Sequence, residues 1–167
     1  LRLWQAESER ELDFSLFNQQ QYARASAAKN RAEDITKVLY PNDTRAAGKR
    51  MRIRQQYVLV SASLQDMLRQ FDALNLPISK FPEMVAAQLN DTHPAMAIPE
   101  LIRLLGSRGV PFPDALDAAR RVFSYTNHTV MQEALERWDA AVLSSVVPEI
   151  AEIIRRIDHA FRHELAE

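Results

Sequence analysis

Apolar residues recur at helical spacing through the first half of the chain and predict two long helices. From residue 19 to residue 40 there is no Gly or Pro, and Ala28, Ala32, Ile35 and Leu39 fall three or four positions apart. The apolar stripe is narrow and partly built from Ala, which suits packing against another helix or against its own domain. We therefore predict a helix over residues 19–40.

A second helix is predicted over residues 48–74, because its apolar positions keep to one face. Those positions are Ile53, Tyr57, Val60, Leu64, Met67, Leu68 and Phe71. Such a face is typical of a helix that packs on a core. The loop Pro41 to Thr44 separates the two predicted helices.

Three shorter stretches predict strands. Residues 1–6 alternate between apolar and polar side chains, while 84–89 and 122–125 are largely apolar and stop in polar clusters. Between the last two lie a predicted helix with Pro99 in its first turn and another over 114–121. A strand, a helix pair and a strand favour parallel pairing, so the carboxyl ends of both strands are expected at one edge.

The remaining chain is predicted to be helical over residues 131–138, 141–146 and from residue 148 onward. The last helix carries a predicted apolar stripe of Ile150, Ile154, Ile157 and Phe161.

Polar side chains follow both later strands, at the edge where open α/β sheets bind ligands. Asp91, Thr92 and His93 follow the first strand, and His128 follows the second, so an anion, a hydroxyl and two imidazoles are expected in one pocket. Asp91, His93 and His128 are also residue types that bind metals, so a metal-dependent hydrolase stays open. The third interpretation is a non-catalytic, α-rich scaffold in which the polar strand ends have only a structural role.

Composition narrows these classes only modestly. The chain has 167 residues, 47% of them hydrophobic and 26% charged, with a formal net charge of -1. This charge gives no reason to expect nucleic acid or a membrane as a partner, and no apolar run approaches the roughly 20 residues that cross a bilayer. With no Cys and only three Gly, thiolate chemistry and a Gly-rich phosphate loop are excluded within this sequence. A cytoplasmic protein is expected.

Several short sequences together resemble the glycogen, starch and maltodextrin phosphorylase family. In chain order they are Leu1–Trp4, Leu39–Asp43, Gln88–Pro94, Ala97–Leu101, Tyr125–Thr129 and Glu133–Glu136. The resemblance implies a helix-rich α/β fold, part of a Rossmann-like GT-B-type glycosyltransferase domain with a few parallel strands. It further implies that residues 1–167 are a single partial domain, from the later part of the amino-terminal half of a larger enzyme.

The resemblance also implies an activity, which is phosphorolysis of an α-1,4-glucan to glucose 1-phosphate with pyridoxal phosphate as the cofactor. The cofactor lysine belongs to the other half of such enzymes, so this chain alone is expected to be inactive. A homodimer is implied through the helix 19–40. In animal members a pair of arginines contributes to a nucleotide effector site, but here Gln70 follows Arg69, so nucleotide activation is not expected.

Two groups of site residues follow from the resemblance. At the strand ends, His128 is expected to contact the sugar at the cleavage point, Asp91 and His93 to line the glucan side of the approach, and Asn127 and Thr129 to bind substrate.

The second group lies around the loop after the first long helix, which the resemblance implies is an active-site gate. Asp43 is expected near the cleft and Arg52 near the path of the glucan. Thr44 is a further substrate-binding candidate, although it stands where the family usually has Asn and lacks the two-ended hydrogen bonding of an amide.

Overall fold

The computed structural model describes residues 3–131 and 135–166, which fall into two compact units, residues 1–55 and 56–167. In the first unit lie α1 (Phe14–Asn18), α2 (Tyr22–Ala25), α3 (Ala27–Lys37) and the beginning of α4 (Ala46–Asp72). α4 continues into the second unit.

The predicted helix over 19–40 is interrupted at Ser26, between α2 and α3. The carbonyl of the buried Ala25 accepts the backbone N–H of Asp13, at 3.0 Å. Because the Ala25 carbonyl accepts a hydrogen bond from a residue outside the helix, α2 and α3 do not form one continuous helix. The helix also ends at Lys37, since Val38 is extended and Tyr40 has a φ of 58°.

The predicted strand at the start of the chain is wrong where the structure describes it. Residues 3–10 are irregular, whereas residues 1 and 2 lie outside the described part. The Ala6 N–H donates to the Thr36 side chain at 3.0 Å instead of to a neighbouring strand. Helix α1 was not predicted, and Asp13 begins it by accepting the N–H of Leu16 at 3.0 Å.

The second predicted helix is confirmed as α4, displaced by two residues from the predicted bounds. Of its apolar face, Ile53, Leu64, Leu68 and Phe71 are buried. Tyr57, Val60 and Met67 are half-buried.

The second unit contains the crossover. Its elements are the short helix α5 (Phe81–Met84), β1 (Ala87–Asn90), α6 (Ala97–Ser107), α7 (Phe112–Val122) and β2 (Phe123–Thr126). The two strands pair in parallel, from Ala87 opposite Phe123 to Asn90 opposite Thr126. The parallel pairing and the helix pair between the strands confirm the prediction and the helix-rich α/β class.

β1 is shorter and more exposed than predicted. Residues 81–84 are helical, with Pro82 in the first turn where its ring fits a helix. Within β1 only Leu89 is buried, while Gln88 and Asn90 are exposed. The strand is therefore buried on one side only.

The helices after β1 agree closely with prediction, and Pro99 stands in the first turn of α6. Gly106 was expected just past the end of this helix, but it lies inside the last turn of α6, and the glycine with a left-handed backbone is Gly109, with a φ of 84°. That conformation costs a glycine little and other residues more.

After β2 come α8 (Ala140–Val146) and α9 (Pro148–Glu164), which confirm two of the three predicted helices. The third, over 131–138, is wrong for residues 135–138, which are not helical, and residues 132–134 lie outside the described part. Asp139 explains where helix begins instead, since its carboxylate accepts the N–H of Ala141 at 2.8 Å and that of Val142 at 3.2 Å.

The core of the second unit is built by α4, α5, α6, α7 and α9. On α9 the buried side includes Ile150 and Ile153, with Ile157 packed against the core, whereas Ile154 and Phe161 are exposed. The predicted stripe was thus correct at Ile150 and Ile157, but Ile154 and Phe161 do not face the core. In the described residues, no helix is both long and apolar enough to cross a membrane.

A buried charge joins α4 to α6. Glu100 is fully buried and accepts two hydrogen bonds from Arg103, at 2.7 and 2.8 Å, and one from the Ser61 hydroxyl at 2.6 Å. These bonds compensate the loss of water around the carboxylate. Glu100 raises the pKa of Arg103 above its ordinary value, chiefly by hydrogen bonding.

Candidate functional site

The carboxyl ends of β1 and β2 meet at one edge, as predicted. Asn90 is opposite Thr126, and the next residue, Asp91, donates its backbone N–H to the Thr126 carbonyl at 2.8 Å. The polar segments after both strands therefore leave the sheet side by side.

Asp91 links the two segments. Its backbone has a φ of 60°, a left-handed conformation that Asp and Asn adopt more readily than other residues with a side chain. From there its Oδ1 accepts the backbone N–H of His128 at 2.7 Å. The turn after β1 thereby fixes the position of the main chain that carries His128.

The His128 imidazole is exposed at this edge and oriented by Asn90. Its Nε2 lies 3.3 Å from Asn90 Oδ1, and the imidazole donates in the tautomer that carries a proton on Nε2. The ring is thus placed by one contact through its backbone and another through its side chain. Because the ring is already exposed, a polar ligand can reach it from solvent.

The other polar residues after β2 shape the same loop. Asn127 donates its side-chain amide to the Thr129 carbonyl and accepts a bond from the Tyr125 hydroxyl at 3.3 Å. The Thr129 hydroxyl accepts the N–H of Met131 at 3.1 Å. Both predicted substrate-binding residues therefore also hold the loop in shape.

His93 lies at the start of a 3-10 helix, His93–Met96, and is half-buried. Beside it, the Thr92 hydroxyl lies 3.4 Å from a carboxylate oxygen of Glu136, which also accepts the Gln56 amide at 2.9 and 3.1 Å. Thr92, Glu136 and Gln56 line a cavity of about 380 Å³.

Glu136 belongs to the short sequence Glu133–Glu136 but was not predicted to be a site residue. The local pattern carries no signal for its position, because its contacts are with residues 44 and 80 positions away in the chain.

The remaining predicted residues, Asp43, Thr44 and Arg52, belong to the first unit. Asp43 forms an ion pair with Arg52 at 2.5 Å. The backbone N–H and hydroxyl of Thr44 both donate to Asn42 Oδ1, at 3.0 and 2.7 Å. The structure thus brings Asp43, in the loop before α4, together with Arg52 on α4.

The geometry does not support a metal site. Among the described residues, no three His, Cys, Asp or Glu side chains are grouped so that they could hold a metal ion. The predicted alternative with Asp91, His93 and His128 as ligands therefore lacks the necessary arrangement.

The strand ends also lack the residue that would hold pyridoxal phosphate. The four lysines of the chain are Lys29, Lys37, Lys49 and Lys80, none of them in the segments 88–93 and 124–129. The donor set there consists of carboxylate, amide, hydroxyl and imidazole groups, which suit hydrogen bonding to a polar ligand such as a sugar.

Fold and site together define a helix-rich α/β protein with a polar edge at the carboxyl ends of its parallel strands. The sequence profile of the Phosphorylase family, described as Carbohydrate phosphorylase, matches residues 1–167. The chain belongs to the carbohydrate phosphorylase family, which confirms the resemblance inferred from its short motifs.

Curated relatives agree along the whole chain. It is 47% identical over 168 residues to glycogen phosphorylase of Saccharomyces cerevisiae, with 100% of this chain and 19% of the relative covered. It is 46% identical to the H isozyme of α-glucan phosphorylase from Triticum aestivum, with 97% and 20% covered. For human muscle glycogen phosphorylase the identity is 41%, with 99% and 21% covered. The chain thus spans about a fifth of the length of these relatives.

Proposed function

We propose that this chain is part of a longer α-1,4-glucan phosphorylase, which transfers a glucosyl unit from glycogen or maltodextrin to phosphate and releases glucose 1-phosphate. The main support is the family match over residues 1–167, together with relatives named glycogen phosphorylase and α-glucan phosphorylase at 46–47% identity. The longer protein is proposed to act in the cytoplasm as a homodimer that contacts its partner through residues 19–40.

Within this enzyme the strand ends form the glucan side of the active site. The observation that carries this assignment is the 2.7 Å bond from the His128 N–H to Asp91, which joins both strand ends into one surface. His128 contacts the sugar at the cleavage point, while Asp91 and His93 line the approach. Asn127 and Thr129 contribute polar contacts from the same loop.

The loop residues Asp43 and Thr44, with Arg52, are proposed to line the path of the glucan and to gate it. Asp43 carries a negative charge that Arg52 partly neutralises, so the pair offers both an acceptor and a donor to sugar hydroxyls.

Pyridoxal phosphate is proposed to be held by a part of the longer protein outside this chain. Its phosphate group would supply the proton relay, and this chain would supply sugar contacts and orientation. The isolated chain is then inactive in phosphorolysis.

The His128 assignment is tested in the longer protein with maltoheptaose and phosphate as substrates. His128→Ala is compared with His159→Ala, which removes an exposed imidazole from α9. Loss of a contact that stabilises the transition state lowers kcat/KM by roughly a hundredfold, so we expect such a loss in His128→Ala. His159→Ala should match the wild type. Equal activity of the two variants would contradict the assignment.

A further inference from the structure

The segment 38–44, which carries Asp43, lies along the first turns of α4. The α4 residues Gly48, Arg52 and Gln55 contact it. Their spacing of four and three residues places them on one face of the helix. We call this set the latch face.

Gln55 holds the beginning of the segment. Its side chain is buried, with 5% of the residue exposed, and its Nε2 donates to the Val38 carbonyl at 2.8 Å. Gln55 is the buried partner of this bond, and a buried amide that loses its acceptor is costly, so the bond resists separation of Val38 from the helix.

Arg52 holds the middle and the end of the segment. Its side chain is 15% exposed, pairs with Asp43 Oδ2 at 2.5 Å, and places its guanidinium 5.1 Å from the centre of the Tyr40 ring. A guanidinium at this distance from an aromatic face is attracted to it. The ring and the carboxylate therefore share one cation.

Gly48 allows the backbone of the segment 38–44 to lie directly against α4. A Cβ atom at this position would overlap the carbonyl oxygen of Asn42 and would lie 2.9 Å from its carbonyl carbon and 3.0 Å from Asp43 Cα. These are backbone atoms, which cannot rotate away as the end of a side chain can. Any larger residue must push Asn42 and Asp43 off the helix.

We propose that Gly48 is a positioning residue that sets where Asp43 stands, and that Gln55 supports it from the other end of the latch face. The proposal rests on the proposed function insofar as Asp43 serves glucan binding. Without Gly48 the segment 38–44 keeps its sequence but loses its fixed position on α4. Asp43 is then presented to the glucan in a shifted and less uniform geometry.

The chain offers a matched control for this substitution. Gly106 is also helical, near the end of α6, but a Cβ added there meets no atom within 4 Å. Gly106→Ala therefore makes the same chemical change without a clash. Gln55→Met is a second variant, which removes the donor to Val38 while keeping a side chain of similar length.

The first readout is hydrogen exchange of the backbone amides of residues 38–44 in the longer protein. We expect faster exchange in Gly48→Ala and in Gln55→Met, and unchanged exchange in Gly106→Ala. Amides of the α6 and α7 core should keep wild-type protection, which separates local release from global destabilisation. Wild-type exchange in this segment for both latch-face variants would overturn the proposal.

The second readout is kcat/KM for maltoheptaose. We expect Gly48→Ala to lower it about tenfold in the wild-type background but less than about twofold when Asp43 is already Ala, because residues that act through one another are not additive. Equal effects in both backgrounds would mean that Gly48 acts by a route other than Asp43, and would overturn the proposal.

The two readouts also separate this proposal from the proposed function. If the wild-type protein forms no glucose 1-phosphate, the phosphorylase assignment fails, yet hydrogen exchange still decides whether Gly48 positions the segment. If the wild type is active and Gly48→Ala resembles Gly106→Ala in both readouts, the positioning role fails alone.

Discussion

At Asp91 a backbone conformation and a side-chain acceptor are required at the same position. The φ of 60° favours Asp or Asn, and the Oδ1 atom holds the His128 N–H at 2.7 Å. Either requirement alone would be met by more residue types than both together.

Asp91 therefore gives a prediction that separates its geometry from its charge. Asp91→Ala loses a hydrogen bond worth about 1 kcal/mol and strains the turn by about 1 kcal/mol, so we expect the free energy of unfolding of the chain to fall by about 2 kcal/mol. Asp91→Asn keeps an accepting oxygen and a tolerated conformation, and should lose under about 1 kcal/mol. Urea unfolding measures both values. Equal losses in both variants would show that the charge is what matters.

At the scale of elements, the attachment of α6 to α4 depends on the buried Glu100. Glu100→Ala leaves the buried Ser61 and the partly exposed Arg103 without their shared acceptor, and losing hydrogen bonds to a charged group costs about 2 kcal/mol. We expect a loss of that size in the free energy of unfolding.

A matched control for Glu100→Ala lies on α9. Glu152 and Arg155 have the same identities and the same three-residue spacing, but their side chains are 58% and 61% exposed. An exposed pair contributes at most about 1 kcal/mol, so Glu152→Ala should change stability little. A loss for Glu100→Ala no larger than that for Glu152→Ala would contradict the role of the buried charge.

Elements with a strong local period were predictable from the sequence. α4 has an unbroken apolar face, and the pair β1 and β2 follows from the strand, helix pair and strand order. The prediction failed where a contact from elsewhere in the chain decided the outcome. The bond from Asp13 to Ala25 interrupts the helix at 19–40, and the N–H of Ala6 donates to the Thr36 side chain where a strand was predicted.

The same distinction between local patterns and distant contacts applies to the candidate site. That Asp91 and His128 lie together could be predicted, because the carboxyl ends of parallel strands share an edge. The roles of Glu136 and Gly48 could not, since each depends on a distance between residues that the local pattern does not encode. The substrate contacts of Asp91, His93, Asn127, His128 and Thr129 all remain predictions.

At the scale of the whole molecule, the chain contributes one side of a proposed active site. It spans about a fifth of the length of its relatives, and its strand ends contain no lysine for pyridoxal phosphate. The donors and acceptors at that edge suit a polar ligand such as a sugar. In the proposed enzyme, glucan contacts would come from this chain and cofactor chemistry from the rest of the protein.

The most direct test is to identify the product that the longer protein forms from maltoheptaose and inorganic phosphate, with and without a chelator of divalent metals. We expect glucose 1-phosphate and a shortened glucan, in equal yield with and without chelator. Free glucose or maltose without glucose 1-phosphate, formed only when metal is available, would overturn the phosphorylase assignment and favour a metal-dependent hydrolase.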